Sequence, residues 1–522
     1  MRHAEGACLD GKHHAERDGY YGMIRTPALF INVLIVAVCG LVYELLAGTL
    51  ASYVLGDSVK QFSLIIGLYL SAMGVGAWLS GYIEKQLARA FIEVEIAVGL
   101  LGGVSAPVLF LTFSKQFWFH PMLYAMVFAI GVLVGLELPL LMRILRDHLN
   151  FKDLVSRALA IDYIGALLAS LLFPLLLMPQ LGLIRTSLLF GMLNAGIALW
   201  GTWALEPLLT RGTASLRGRA GMVLLLLAIG LIKAEYLTSL SEDNLFVDPI
   251  VFAQSSPYQR IVITNNNAGF QLHLNGNLQF SSADEYRYHE ALVHPVLSVA
   301  QGPRRVLVLG GGDGLALREI LRYSTVEHVT LVDLDPAMTD LSRKFSPLAK
   351  LNGGALADPR VEVINQDAMI WLEATGQPYD AAIVDFPDPN NYALGKLYTT
   401  RFYRMLARRL TPEAKVGVQC TSPLFARQSY WCIIRTLEAA GFRVRPYQMT
   451  VPSFGVWGFA LAGRQLVELP NPLPEHLKFL DLPTLRSMFV FSVDMSPVTV
   501  EINRLDNQSL VHYYESEWKH WN

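Results

Sequence analysis

Three acidic residues in the second half of the chain follow short apolar runs and could do chemistry. Asp333, Asp367 and Asp385 come after runs that are typical of buried β-strands. Ligands of open α/β sheets bind beyond the carboxyl ends of the strands, so we expect the three carboxylates to line one crevice. A single acid at a strand end is common, whereas acids after several successive strands indicate a binding site.

The segment Asp385-Phe-Pro-Asp388-Pro389 places two acids three residues apart between prolines. A carboxylate can bind a cationic amine, and it can accept the proton that an amine must lose before it acts as a nucleophile. We therefore expect amine chemistry here, with Asp385 as the base. The alternative interpretation is a proline-rich loop whose acids are only solvated.

The apolar run Val306–Leu309 leads into a cluster of glycines. These are Gly310, Gly311, Gly312 and Gly314. Strand, glycine turn, helix, strand and acid make half of a nucleotide-binding fold, in which glycines allow close approach to a ligand and Asp333 would hold ribose hydroxyls. Asp313 lies inside the turn and is unsuited to a pyrophosphate. We therefore expect a nucleoside ligand that has no phosphates and carries a cationic tail.

These residues need an α/β sheet to position them, and residues 304–465 predict a Rossmann-like, methyltransferase-type domain. The predicted strands lie near 305–309, 328–332, 361–364, 381–384, 415–420, 443–448 and 456–462. A small β-hairpin subdomain is predicted at 241–303, with a turn at Asn265–Gly269. Residues 466–522 include a proline-rich linker at Pro470–Pro474 and predict an ordered appendage without visible chemistry.

The first half of the chain has the composition of a membrane protein. Of the 522 residues, 52% are hydrophobic and only 16% are charged, which is too apolar for an ordinary soluble protein. A polar tail at 1–26 precedes a predicted transmembrane domain at 27–240, because apolar runs of roughly 20 residues can cross a bilayer. The seven candidate spans are 28–54, 62–83, 91–113, 121–145, 158–179, 183–205 and 220–237. We therefore expect a multi-pass protein of the cell membrane, with the lipid bilayer as a partner.

Charge and cysteine content exclude other classes. The formal net charge of −2 gives no argument for nucleic acid binding. The cysteines form no CxxC pair, so we expect neither a disulfide framework nor a metal site. They are Cys8, Cys39, Cys420 and Cys432. The sequence leaves homo-oligomerisation open.

Basic residues are concentrated in alternate loops of the predicted helical domain, which places the N-terminus in the cytoplasm. These residues are Lys85 and Arg89, then Arg143, Arg146, Lys152 and Arg157, then Arg211, Arg217 and Arg219. Seven crossings from there would leave the soluble half outside. The seventh candidate is short and contains Lys233 and Glu235, and if it does not cross, the soluble half is cytoplasmic. We expect the soluble half to lie in the cytoplasm, and the alternative is that it lies outside.

Three acids lie inside the apolar runs, at Glu44, Glu137 and Asp162. Ionisable groups at this depth in a bilayer are costly and are functional candidates by default. They predict either a cation site in the helical bundle or hydrogen bonds between helices.

Taken together, residues 250–465 resemble the spermidine synthases, the polyamine aminopropyltransferases. Several motifs occur in the order of that family. They are Ser256-Pro-Tyr-Gln259, Leu274–Gln279, Asp284–Glu290, Gly310–Gly314, Val332–Asp335, Gln366-Asp367-Ala368, Asp385–Pro389 and Leu397-Tyr398. The apolar first half is similar to the multi-spanning form of the family found in bacteria.

The resemblance implies transfer of an aminopropyl group from decarboxylated S-adenosylmethionine, a co-substrate, to an amine such as putrescine, with no further cofactor. Spermidine and methylthioadenosine would be the products. On the donor side it implies that Gln259 contacts the nucleoside, that Asp333 holds the ribose, and that Asp367 and Ala368 contact the adenine. Gly310 and Gly312 would line the same site.

On the amine side, the resemblance implies that Asp313 and His289 bind the chain that carries the amine. Asp385 would be the proton acceptor, with Asp388 near the polyamine. The sequence departs from the family at Phe386 and Pro387, where small polar residues are usual between the two acids. It also has Phe454, without a hydroxyl, where a tyrosine often helps to bind the amine.

Two alternatives belong to other classes. One is an S-adenosylmethionine-dependent methyltransferase on the same fold. The other is a membrane polyamine transporter or sensor, whose soluble half binds a nucleoside without turnover and whose intramembrane acids carry the cation.

Overall fold

The computed structural model divides the chain into two compact units, Met1–Val247 and Asp248–Asn522. It describes residues 26–55, 58–113, 116–146, 150–209, 212–237, 246–300, 302–465 and 473–518. Residues 1–25 of the expected polar tail, and most of the expected linker at 470–474, lie outside the described residues.

The first unit is built from long apolar helices. They are α1 (Thr26–Leu55), α2 (Ser58–Ser80), α3 (Leu87–Phe113), α4 (Gln116–Leu145), α5 (Phe151–Leu172), α6 (Met178–Ala204) and α7 (Thr213–Ile232). A π-helical turn, Phe173–Leu177, joins α5 to α6. Within the described residues, six helical stretches are long and apolar enough to cross a membrane.

The stretch Lys152–Ala204 accounts for the difference between these six and the seven candidate spans. Its 53 residues far exceed the roughly 20 that one crossing needs. At Gly182 the backbone leaves the helical region, with φ 71° and ψ 178°, a conformation that glycine adopts without strain. The expected spans 158–179 and 183–205 lie on either side of this bend.

Small residues bring the helices of this unit close together. A Cβ added at Gly135 would collide with the backbone carbonyl of Met73, and one added at Gly76 would collide with that of Val132. Both contacts join α2 to α4. Close backbone approach over glycine is the usual way in which membrane helices pack, since lipid offers no hydrophobic driving force between them.

The acids of the helical unit differ in burial. Glu137 is 1% exposed, while Glu44 and Asp162 are only partly buried. Glu95, which the sequence did not single out, is 0% exposed. It lies near the start of the predicted span 91–113, but α3 begins at Leu87 and carries it two turns into the helix. The carboxylate oxygens of Glu95 and Glu137 have no hydrogen-bond partner among the described residues.

The second unit begins with a four-stranded antiparallel sheet. Its strands, in spatial as well as chain order, are β1 (Ile250–Ser255), β2 (Arg260–Asn266), β3 (Gly269–Leu274) and β4 (Asn277–Ser281). The turn between β2 and β3 has Asn266 and Gly269 at its ends, as the sequence predicted. Ile261, Ile263 and Phe280 form the buried face of this sheet.

Seven further strands form the main sheet, in the order β10-β11-β9-β8-β5-β6-β7. They are β5 (Arg305–Gly310), β6 (His328–Asp333), β7 (Val361–Asn365), β8 (Tyr379–Asp385), β9 (Leu410–Gln419), β10 (Arg443–Val451) and β11 (Gly455–Gly463). β11 runs antiparallel to both of its neighbours, β9 and β10, and the other six strands run in one direction. This confirms the predicted order of a helical unit, a small β-subdomain and a Rossmann-like, methyltransferase-type domain.

Helices cover both faces of the main sheet, which explains why its central strands are almost continuously apolar. The helices are α8 (Glu285–Leu297), α9 (Leu315–Ile320), α10 (Pro336–Lys344), α11 (Ser346–Leu351), α12 (Ala368–Trp371), α13 (Tyr392–Gly395), α14 (Thr400–Arg408) and α15 (Arg427–Ala439). Residues 306–309 of β5 are completely buried. The core therefore holds rigid the strand ends that carry the acids.

Two helices follow in the C-terminal segment, α16 (Leu482–Met488) and α17 (Ser509–Trp518). The carboxylate of Glu517 accepts hydrogen bonds from the backbone N–H groups of Gln428 and Ser429, at 2.6 and 3.1 Å. It therefore caps the N-terminus of α15, where a negative charge is favourable. This contact fixes α17 against the α/β domain.

Candidate active site

The glycine turn lies at the carboxyl end of β5, beside the end of β8. Gly310, at φ 81°, pairs with Asp385 in register, and a Cβ at Gly310 would collide with the carbonyl oxygen of Asp385. The N–H of Gly311 donates to the same carbonyl at 3.1 Å. Glycine is required here because two strand ends meet at backbone distance. The turn therefore brings Asp313 and Asp385 into one crevice.

Asp333 is joined to this turn from the neighbouring strand β6. Its carboxylate accepts from the N–H of Gly312 at 3.0 Å and from the N–H of Asp335 at 2.9 Å. Burial raises the pKa of Asp333 to about 6, against the lowering effect of these two hydrogen bonds. Gln259 lies close by, but its amide donates to Asp335 at 2.9 Å. The two donor-side residues are therefore neighbours joined through Asp335.

Asp367 has a different set of partners. One carboxylate oxygen caps α12 by accepting from the N–H of Met369 at 2.8 Å, and the other pairs with Lys396 at 2.6 Å. The ion pair and the cap outweigh the effect of burial, and they lower the pKa of Asp367. Ala368 is the buried first residue of α12. Both oxygens of the Asp367 carboxylate are therefore engaged with the protein.

Asp385 is the last residue of β8, and one of its carboxylate oxygens accepts a hydrogen bond. The hydroxyl of Tyr288, on α8, donates to its Oδ1 at 2.7 Å. Burial raises the pKa of Asp385 to about 6; the charge of His289 lowers it, and that of Asp313 raises it. The group is therefore an oriented carboxylate at neutral pH and can accept a proton.

His289 belongs to a buried charged network on α8. Its Nδ1 lies 2.8 Å from Glu285, and Glu285 also accepts from both terminal nitrogens of Arg318, at 2.8 and 3.0 Å. Burial alone would lower the pKa of His289, but the hydrogen bond and charge of Glu285 raise it to about 9. Burial raises the pKa of Asp313, and the charge of His289 opposes this. An imidazolium thus faces the acids of the crevice.

Asp388 lies in the loop after β8 and is surrounded by neutral donors. Gln419, Thr421 and Tyr514 donate to its carboxylate at 3.2, 3.1 and 2.9 Å. The loop itself is held by the hydroxyl of Tyr398, which donates to the carbonyl of Pro387 at 3.1 Å. Burial raises the pKa of Asp388 to about 6, while the three donors lower it. Phe386, an unusual residue here, packs in the core against Phe402.

Similarity to known proteins shows the family of this chain. The sequence model of the Spermine/spermidine synthase domain matches residues 285–470. The polyamine aminopropyltransferase of Leptospira interrogans is 54% identical over 491 residues, covering 94% of this chain and 98% of that protein. This chain belongs to the polyamine aminopropyltransferase family. It is an enzyme of that class, which catalyses aminopropyl transfer, and the expectation from the sequence is confirmed.

Other aminopropyltransferases are similar over the same extent. Polyamine aminopropyltransferase 2 of Ralstonia nicotianae is 54% identical over 499 residues, which cover 94% of this chain and 98% of that protein. Polyamine aminopropyltransferase 1 of Streptomyces coelicolor is 42% identical over 508 residues, or 94% of each chain. Because these matches cover 94% of this chain, they include the helical unit as well as the α/β unit.

Among solved structures, spermidine synthases are similar to the α/β unit. A crystal structure of spermidine synthase in complex with the transition-state analogue AdoDATO is 24% identical, covers 47% of this chain and 85% of its own, and has a TM-score of 0.44. The spermidine synthase of Thermotoga maritima is 24% identical over 47% of this chain and 84% of its own, with a TM-score of 0.43.

Three features of this aminopropyltransferase were not anticipated from the sequence. Tyr288 holds Asp385, Glu285 holds His289, and Tyr514 reaches Asp388. The first two lie in the motif Asp284–Glu290. Glu285 lies four residues before His289, and this helical spacing could have signalled their contact. Tyr514 is 126 residues from Asp388 in the sequence, and no local pattern indicates that contact.

Proposed function

We propose that this aminopropyltransferase uses decarboxylated S-adenosylmethionine as donor and an aliphatic diamine such as putrescine as acceptor, giving spermidine and methylthioadenosine. The observation that carries the proposal is the cluster of half-buried carboxylates at the strand ends, Asp313, Asp333, Asp385 and Asp388. None of the four is paired with a lysine or arginine in the described part of the chain. Such a crevice favours ligands that are themselves cationic.

In the reaction, the neutral amine nitrogen attacks the carbon next to the donor sulfonium. The new C–N bond forms as the C–S bond breaks, and the electron pair of that bond neutralises sulfur in the departing methylthioadenosine. The proton lost by the amine passes to Asp385, whose Oδ1 is already fixed by Tyr288 at 2.7 Å. Orientation of amine and carbon, rather than an activated protein nucleophile, supplies most of the acceleration.

On the donor side, we propose that Asp333 binds the ribose hydroxyls, with Gln259 and the backbone of Gly310 and Gly312 around the nucleoside. Asp333 is suited to this because its oxygens are fixed by two backbone N–H groups and keep acceptor capacity for a ligand. For Asp367, the contact with Lys396 supports a role in shaping the loop around Ala368, which would meet the adenine.

For the amine, we propose that Asp313 binds the cationic chain directly and that His289 acts through Asp313 and Asp385. An imidazolium has no free lone pair, so it cannot accept a hydrogen bond from an ammonium group. Its positive charge instead favours the ionised form of the neighbouring acids. Burial raises the pKa values of Asp313 and Asp385, and the charge of His289 lowers both. Asp388 is the second carboxylate available for the acceptor.

A product assay tests the function. Purified protein should form methylthioadenosine and an aminopropylated amine in equal amounts from decarboxylated donor and putrescine. S-Adenosylmethionine, which retains its carboxylate, should bind more weakly because that group would enter a crevice of acids. Methyl transfer from S-adenosylmethionine, with no product from the decarboxylated donor, would replace the proposal by the methyltransferase alternative.

We further propose that the helical unit is inserted in a lipid bilayer and that the α/β unit faces the cytoplasm. A permanently charged sulfonium donor does not cross a bilayer unaided, which supports a cytoplasmic active site. Lys344, 74% exposed on α10, can be replaced by cysteine for labelling with an impermeant thiol reagent. Labelling only after permeabilisation is expected; labelling of intact cells would put the α/β unit outside, as seven crossings from a cytoplasmic N-terminus require.

A further inference from the structure

The C-terminal helix α17 lies outside the residues 285–470 that match the family domain, yet it reaches one of the candidate site acids. Tyr514 donates a hydrogen bond from its hydroxyl to Oδ2 of Asp388 at 2.9 Å. The hydroxyl of Thr421 donates to the same oxygen at 3.1 Å, and Gln419 donates to Oδ1 at 3.2 Å. A segment without recognisable chemistry therefore supplies a polar group to the crevice.

Several contacts hold α17 where Tyr514 can act. The Glu517 carboxylate accepts hydrogen bonds from two N–H groups at the start of α15. It also accepts one from the hydroxyl of Ser429, at 2.8 Å. Leu510 and Val511 are completely buried, and the ring of Tyr514 packs on that of Trp518 with centroids 5.7 Å apart. The tyrosine is thus positioned by its own helix, before any ligand binds.

Asp388 is a half-buried carboxylate whose direct partners in the described structure are all neutral. The titratable groups that face it are tyrosines and a cysteine, which are neutral near pH 7, and burial raises their pKa values further. They are Tyr288, Tyr398, Cys420 and Tyr514. Hydrogen bonds hold such a carboxylate in place but do not neutralise it, so a cationic ligand gains a full, poorly screened charge interaction there.

We propose that Tyr514 is a positioning residue of the acceptor site, which holds Asp388 in place for the ammonium group of the diamine that does not react. This inference rests on the proposed function and adds to it the C-terminal helix as part of the amine site. Tyr514 has no hydrogen bond to Asp385 or Asp333 among the described residues, so its influence should fall on amine binding and not on the chemical step.

The test compares Tyr514→Phe with Tyr513→Phe. The Tyr513 hydroxyl, on the same helix, accepts from the N–H of Glu501 at 3.2 Å and does not meet Asp388, so it is a matched control. In Tyr514→Phe the KM for putrescine should rise about tenfold, the range of one hydrogen bond to a charged group. The kcat should stay within about twofold and the affinity for methylthioadenosine should be unchanged. Tyr513→Phe should match the parent protein in all three.

A pH profile separates positioning from general loosening of the helix. Loss of the Tyr514 hydroxyl raises the pKa of Asp388, since that bond favours the charged form. Amine binding, which needs the carboxylate, should therefore be lost at a higher pH in Tyr514→Phe, while the donor profile does not move. In the Asp388→Asn background, Tyr514→Phe should add no further effect.

Equal amine KM values and equal pH profiles for Tyr514→Phe and Tyr513→Phe would overturn the inference, as would additive effects with Asp388→Asn. The outcome is distinguishable from failure of the proposed function. If the parent protein forms no methylthioadenosine with any diamine, the function fails, and calorimetric binding of putrescine to the two tyrosine variants still tests Tyr514. Equal dissociation constants in that measurement would reject it.

Discussion

The two units of this chain both bury acids, but they treat them in opposite ways. In the α/β unit, Asp313, Asp333, Asp385 and Asp388 each accept at least one hydrogen bond. In the helical unit, Glu95 and Glu137 are more deeply buried, at 0% and 1% exposed, and accept none from the described residues. Burial of an unpaired carboxylate is costly. Hydrogen-bond donors and partial access to solvent therefore distinguish the acids that we propose hold a cation from the two glutamates of the helical unit.

The largest expected effect is at Asp385. Replacement by Asn keeps the hydrogen bond to Tyr288 possible but removes the proton acceptor. We expect kcat to fall about 10²- to 10⁴-fold, the usual contribution of a general base. Methylthioadenosine should bind as it does to the parent protein, since Asp333 and Gly312 are untouched.

The control for this prediction is Asp340→Asn, at an exposed acid that pairs with Lys344 on α10. It should change neither kcat nor donor binding. If Asp385→Asn turns over at the parental rate, Asp385 is not the base and the distinction between the two sets of acids loses its main support.

The next largest effect is on stability, at Glu285. Its carboxylate is 1% exposed and neutralises both Arg318 and His289. Glu285→Gln leaves the buried imidazolium of His289 without its hydrogen-bonded counter-ion and removes one of the two carboxylates that pair with Arg318, and we expect a loss of about 3–5 kcal/mol in the free energy of unfolding. Denaturant unfolding followed by tryptophan fluorescence measures it. Glu438→Gln, in an exposed pair with Arg435, should change the free energy by about 1 kcal/mol at most.

The same network predicts how stability depends on pH. The pKa of His289 is raised from 6.5 to about 9, so its contribution is complete below pH 6.5 and is lost as the pH rises through 9. The pKa of Glu285 is lowered, so its contribution is present at neutral pH and is lost in acid. In Glu285→Gln the loss of stability between pH 6.5 and 9 should become smaller; an unchanged slope would show that His289 is not held by Glu285.

A smaller effect concerns the pH dependence of turnover. Asp385 must be ionised to accept a proton, and its pKa is raised to about 6. We expect kcat/KM to fall as the pH drops below 6, by about tenfold per unit for one group. The slope should be steeper than that, because Asp333 and Asp388 also have pKa values of about 6.

Tyr288→Phe sharpens that pH prediction. The hydroxyl of Tyr288 lowers the pKa of Asp385, so its removal should move the acid limb of the kcat profile to higher pH. A limb that stays at the parental pH would assign it to a group other than Asp385.

The sequence predicted those parts of the site that depend on local patterns, and it missed the contacts between residues far apart in the chain. Asp333, Asp385 and the glycine turn were found because strand ends and a short turn carry local patterns. Tyr514 and Lys396 were not, because they meet Asp388 and Asp367 only through the tertiary fold. Glu95 was missed because the start of its helix was predicted four residues too late. The number of spans predicted from the sequence differs from the number of helical stretches because the single stretch Lys152–Ala204 bends at Gly182.

The smallest effect is expected in the helical unit. Glu137→Gln and Glu95→Gln remove acids without a hydrogen-bond partner among the described residues, so we expect aminopropyl transfer to stay within about twofold and the free energy of unfolding within about 1 kcal/mol of the parent. Uptake of labelled putrescine into vesicles that contain the protein should not depend on Glu137. Uptake that Glu137→Gln abolishes would contradict this and would favour the transporter alternative.

The most direct measurement is single-turnover formation of methylthioadenosine from decarboxylated S-adenosylmethionine and putrescine, run side by side for the parent protein, Asp385→Asn and Glu137→Gln. We predict that the parent and Glu137→Gln form product at the same rate and that Asp385→Asn is slower by at least about 10²-fold. Equal rates for the parent and Asp385→Asn, or a loss in Glu137→Gln as large as that in Asp385→Asn, would contradict the account.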